Sequence, residues 1–132
     1  MTTTELIAAL RLLHIPNIGS VTAKKLIAHC GSPTAIFDEK KANLQKIDGI
    51  GSLKLKHFFD AEHIEAAEEE LRFIQENSIE TTYFMDADFP AYLKHAIDGP
   101  ILLFKSGNIN LENRKIISVV GTRKITSYGT AF

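Results

Sequence analysis

Three short stretches of this chain combine glycine, small polar residues and nearby cations, the side-chain chemistry suited to holding an anion. Ile15-Pro16-Asn17-Ile18-Gly19-Ser20 and Ile47-Asp48-Gly49-Ile50-Gly51-Ser52 share one pattern at a period of 32 residues, and Val119-Val120-Gly121-Thr122-Arg123 closes an apolar run with a polar loop. Glycine lets a backbone turn tightly and approach a phosphate, while a helix that follows offers unpaired N–H groups and the positive end of its dipole. Lys24 and Lys25 come after the first turn, and Lys54 and Lys56 after the second, placing mobile positive charge beside each. Gly19, Lys24, Lys25, Gly49, Gly51, Lys54 and Lys56 are therefore candidate phosphate contacts of a kind that ignores base sequence.

The second turn matches the helix–hairpin–helix pattern of apolar residue, any residue, Gly, apolar residue, Gly. The first departs from it at Asn17, the mildest departure, because Asn tolerates positive φ better than other non-glycine residues. The competing reading is that both turns only join packed helices, with Ile15, Ile18, Ile47 and Ile50 inserted into a shared core. At the third stretch, Gly121, Thr122 and Arg123 stand at the carboxyl end of an apolar segment, where open α/β sheets bind ligands. Thr122, Ser127 and backbone amides suit phosphate oxygens, and Arg123 suits a bidentate clamp. The Gly-x-Gly-x-x-Gly dinucleotide fingerprint and the Walker loop are both absent. His14, His29, His57, His63 and His95 lack metal-like spacing, and no Ser/His/Asp or paired-carboxylate arrangement emerges, so no catalytic residue, metal or cofactor is expected.

The elements that must position these residues follow from periodicity and capping. Thr2-Thr3-Thr4-Glu5 has capping-box spacing ahead of a helix to about His14. A second helix is predicted from Ser20 to Gly31 and a third from Ser32-Pro33. A fourth is predicted over about Ala42–Lys46, and a fifth from Ser52 through Phe59. From Asp60 to Asn77 the spacing of Ile64, Ala67, Leu71 and Ile74 predicts one long amphipathic connecting helix. Glu80–Met85 and Ile101–Phe104 read as strands separated by a short helix at Pro90–Ala96, and Ile116–Val120 as a buried parallel strand. Tyr83, Phe84, Phe89, Tyr92 and Phe104 lie within apolar runs and are expected in the core rather than as base-stacking platforms. A βαβ unit needs about 30 residues, so the chain reads as a fragment of a longer polypeptide.

The 132 residues, 45% hydrophobic and 23% charged, have globular composition, and no stretch approaches the roughly 20 apolar residues of a membrane span. A soluble, cytoplasmic protein is expected, the lone Cys30 being compatible with a reducing compartment and a small core position. Net charge is only −1, but its distribution is uneven. Residues 1–59 carry eight Lys/Arg against four Asp/Glu, residues 60–80 one against eight, and residues 81–132 six against four. Nucleic acid, if bound, should meet the first and last segments.

Gly121-Thr122-Arg123 with Ser127-Tyr128-Gly129 resembles the signature that opens the Rossmann-like domain of the DprA/Smf family of DNA-processing proteins. Asp88-Phe89-Pro90-Ala91-Tyr92-Leu93 and Gly99-Pro100 through Gly107-Asn108 are similar to that family's approach to its glycine loop. The resemblance implies an α+β fragment: an all-α SAM-like, helix–hairpin–helix domain over 1–60, a long acidic connecting helix over 61–78, and the truncated start of a Rossmann-like domain over 79–132. It implies a non-enzymatic recombination mediator that binds and protects incoming single-stranded DNA in natural transformation and assists RecA loading. Duplex DNA as a further ligand and a homodimer of the longer parent are compatible with it, and no membrane partner is implied. By the same carry-over, Arg123 holds a DNA phosphate, Gly121 and Thr122 shape its loop, and the rest of the pocket lies beyond Phe132. Two alternatives remain: a Rossmann-like nucleotide-processing hydrolase, which leaves the hairpins unexplained, and a generic helix–hairpin–helix repair module, which leaves Phe89–Gly129 unexplained.

Overall fold

The first helix starts where its cap dictates: in the computed structural model, which describes residues 1–108, 110, 115 and 117–131, Thr2 accepts the Glu5 N–H at 3.2 Å and α1 runs Thr3–His14. Only half of the expected capping box forms. The Glu5 carboxylate turns away from the Thr2 amide and instead accepts the Thr34 N–H at 3.2 Å and the Thr34 hydroxyl, tying α1 to the start of α3 (Pro33–Asp38). Between them α2 (Ser20–Cys30) ends at Gly31, whose φ of 95° places it in the left-handed region while its N–H donates to the Ile27 carbonyl at 2.7 Å. Ser32 then caps α3 by accepting the Ala35 N–H at 3.3 Å, with Pro33 in the first turn. A single turn, α4 (Lys41–Leu44), follows.

Residues 52–59 depart from the predicted helix. They form successive tight turns with bonds Lys54 N–H to Gly51 O, Lys56 N–H to Leu53 O and Asp60 N–H to His57 O. Only Leu55 and Phe58 of this segment enter the core while Leu53 stays 75% exposed, so tertiary packing supplies too few apolar anchors to hold it as a helix. The chain then enters α5 (Glu62–Glu76), which packs on α1 through the predicted face: Ala67, Leu71 and Ile74 are buried and Ile64 half-buried. His63 joins that face, buried, with Nε2 3.0 Å from the His57 carbonyl oxygen.

Among the described residues the molecule is thus an α+β fold, mostly helical, with one small two-stranded sheet. β1 (Glu80–Tyr83) and β2 (Leu102–Lys105) pair antiparallel in the register Glu80 with Lys105 and Tyr83 with Leu102, and the end pair closes with a 2.5 Å ion pair from Lys105 Nζ to Glu80 Oε2. Between the strands lies the one-turn α6 (Ala91–Lys94). A single buried cluster extends from Ala9 on α1 to Leu102 on β2, and each fully buried Leu, Ile or Phe in it contributes about 1.5–3 kcal/mol by leaving water. Tyr83 belongs to this cluster; burial first, then Glu5 and Asp86, pushes its phenol up to about 12. Phe84 is half-buried at its margin, Phe89 is buried, and Tyr92 and Phe104 face solvent, so the core expectation holds in full for Tyr83 and Phe89 only. Cys30 is half-buried at the edge of the cluster, its thiol raised by burial and by Glu39.

The expected parallel strand at 116–120 is the other departure. Ile116 lies outside the described residues; 117–120 take no strand conformation, with Ile117, Val119 and Val120 at least 90% exposed. An apolar strand with two buried faces needs paired neighbours and covering layers. Among the described residues the sheet consists of β1 and β2 alone, so that environment is missing. The one-turn α7 (Ser127–Thr130) follows, capped by Thr126, which accepts the Gly129 N–H at 3.1 Å. Among the described residues no helix is long and apolar enough to cross a membrane.

Candidate nucleic-acid interface

The two glycine turns adopt the same backbone. Asn17 sits at φ 65° and Gly49, 32 residues later, at φ 80°; in each turn the next isoleucine donates its N–H to the isoleucine three residues before, Ile18 to Ile15 at 3.3 Å and Ile50 to Ile47 at 3.0 Å. The period extends into the core. Leu12 and Leu44, Ile18 and Ile50, Ala23 and Leu55, and Leu26 and Phe58 are all buried pairs at the same offset. The departure of Asn17 from the glycine pattern is therefore accommodated by conformation, as its side chain allows.

The repeats also touch. Lys54 Nζ donates to the Gly49 carbonyl at 2.9 Å and to Thr22 Oγ1 at 3.3 Å, and Lys25 Nζ donates to the Asp48 carbonyl at 3.4 Å. Thr22 and Lys54 are themselves separated by 32 residues, so equivalent positions of the two repeats meet, as they do across a two-fold interface. The structure thus gathers Lys25, Gly49 and Lys54 with Thr22, which sequence reading did not single out although the period pointed to it. Gly19 and Gly51 differ from Gly49: neither is in the left-handed region, and a Cβ on either would meet nothing within 4 Å. Both are exposed, leaving the backbone open to close approach.

The remaining predicted residues lie elsewhere. Lys24 is half-buried, and its Nζ donates to the Ala96 and Ile97 carbonyls at 3.1 and 3.3 Å. Lys56 is exposed. Gly121, Thr122 and Arg123 are exposed, and Thr122 Oγ1 donates to the Lys124 carbonyl at 2.7 Å, closing a tight loop. The hydrogen bonds that join Thr22, Lys25, Gly49 and Lys54 involve neither Lys56 nor this loop.

Charge is placed asymmetrically around these elements. Lys24, Lys25, Lys54 and Lys94 have no carboxylate within ion-pair distance among the described residues, where the lysine ion pair is that of Lys105. The acidic side is α5, whose Glu70 meets His14 Nε2 at 2.7 Å. Asp60, Glu62 and His63 bring ligand-type atoms within 4.8 Å of one another, but Asp60 is engaged by His57 Nδ1 at 2.8 Å and His63 by a carbonyl, an arrangement that fastens the start of α5.

A comparison with protein-family models matches residues 80–132 to the family described as DNA recombination-mediator protein A, and the repeat lies outside the match. Searches of curated proteins and of solved structures give no match.

Proposed function

We propose, from the match of residues 80–132 to the family described as DNA recombination-mediator protein A, that the protein binds single-stranded DNA without base specificity, protects it and assists its loading with RecA. The family match carries this reading, since it falls on the segment containing Gly121, Thr122 and Arg123. In the proposal Arg123 clamps a phosphate and the loop amides complete the contact. Residues 1–60 act as a helix–hairpin–helix, SAM-like module, joined by the acidic helix over 61–78 to the opening segment of a Rossmann-like domain over 79–132. The protein acts in the cytoplasm without turnover and pairs as a homodimer.

The hairpin contacts rest on the shared turn geometry and on the open flanks of Gly19 and Gly51. A second reading has an observation of its own: Lys24, Lys25 and Lys54 donate to protein acceptors, as expected of turns that serve packing. Binding of a labelled oligothymidine at low salt separates the two. Both Gly51→Glu and Arg123→Ala weaken it if hairpins and loop hold phosphate; loss with Arg123→Ala alone leaves the hairpins as packing elements. Undiminished affinity in both variants refutes the proposed contacts.

A further inference from the structure

Next to the paired turns, a groove of about 400 Å³ runs between α2 and the turn after α6, and Lys25, whose Nζ also donates to the Asp48 carbonyl, lines it. Its charged and titratable lining consists of Lys24, Lys25, Lys94 and His95, with no carboxylate among its lining residues, in a chain whose acids outnumber its bases. Asp98 follows in sequence but does not line it. Apolar surface completes the walls, including Phe84 and the 81%-exposed Ile97. Lys24 is fixed by the two carbonyls that receive its ammonium, and it stands 5.6 Å from the Phe84 ring centroid. Carbonyls orient this charge without cancelling it.

Taking DNA binding as given, we infer that this groove carries one strand of a nucleic acid, with its phosphates on Lys25 and Lys94 and a base face against Ile97 and Phe84. The combination of cations without carboxylate partners and an exposed apolar wall is what a single strand requires, because its phosphates need charge and its unstacked bases need a nonpolar face. A duplex buries its bases and has no use for that wall. The groove would extend the path of the strand beyond the glycine turns, along α2, toward the segment containing α6. Sequence reading passed over Lys94 and His95 because nothing in their spacing marks them. They become a site only where the fold lays them against α2.

Lys94 is exposed and on a one-turn helix, so Lys94→Gln tests the groove without disturbing the core. The whole chain is titrated with a labelled oligothymidine between about 50 and 200 mM salt. Lys94→Gln should weaken binding roughly threefold to tenfold at the low-salt end and reduce the salt slope by about 0.7, the share of one single-strand phosphate contact. Lys41→Gln, on α4, should leave both unchanged. If Lys94→Gln matches wild type while Gly51→Glu or Arg123→Ala still weakens binding, the groove inference fails and the proposed function stands. Absence of oligothymidine binding by the wild type overturns both. An equal loss on a duplex of the same length overturns the single-strand assignment. Displacement of the oligomer by an equal concentration of inorganic phosphate reduces the groove to a free-phosphate site and also overturns it.

Discussion

Gly49 and Gly51 occupy the two glycine positions of one motif, yet the structure gives them different tasks, and alanine at each should separate them. At Gly49 the φ of 80° costs an L-residue about 1–2 kcal/mol, while the smaller entropy of an unfolded alanine returns about 0.4–1 kcal/mol. The new Cβ would lie 3.4 Å from Lys25 Nζ, an ordinary contact with a flexible side-chain end, so packing adds little. Gly49→Ala should therefore destabilise by about 1 kcal/mol. At Gly51 no left-handed conformation is required and the Cβ meets nothing within 4 Å, so Gly51→Ala should be neutral or stabilising by up to about 1 kcal/mol. Urea denaturation followed by circular dichroism measures both; thermal midpoints should differ by roughly 3–8 °C. The converse holds for ligand: if the open flank of Gly51 admits a phosphate, Gly51→Ala weakens oligothymidine binding while keeping stability. Equal destabilisation by both substitutions would refute the division of roles, as would an unaffected Gly49→Ala.

Lys54→Met keeps the aliphatic stem but removes the bonds to Gly49 and Thr22, and should cost about 1–2 kcal/mol in the same urea assay; no loss would mean that the contact between repeats does not stabilise them. Thr2→Ala removes the α1 cap and should cost about 1 kcal/mol by thermal unfolding. The Tyr83 phenol titrates higher in the folded state, at about 12, than in the unfolded chain, so the native state holds its proton more tightly. Stability is then fully present below pH about 10 and falls as pH rises toward about 12, and Tyr83→Phe should flatten that part of the stability curve.

Local signals in the sequence proved sufficient where one residue decides the backbone. Asn17 was expected to stand in for glycine and does so at φ 65°; Gly31 ends α2 in the left-handed region; Ser32 and Pro33 start α3. Periodicity located α5, because a helix docking on α1 needs one apolar stripe and Ala67, Leu71 and Ile74 supply it. It misled at residues 52–59, where the burial of Leu55 and Phe58 satisfies a pair of turns as well as a helix. The apolar character of 117–120 was legible, but strand structure depends on neighbours that are absent among the described residues. For the candidate site, the 32-residue period identified both turns, whereas the lysine destinations required tertiary structure. Lys24 and Lys25 are adjacent in sequence, and one helical step gives them different acceptors, the carbonyls of Ala96 and Asp48.

The most direct test is the salt dependence of oligothymidine binding by the unmodified chain. Phosphate contacts release counterions, so the logarithm of the association constant should fall linearly with the logarithm of salt concentration, with a slope of about −0.7 for each phosphate held, hence about −2 or steeper if both turns and the Arg123 loop each engage one. Binding that is indifferent to salt, or absent at the lowest salt, would contradict a strand held through its phosphates at these sites.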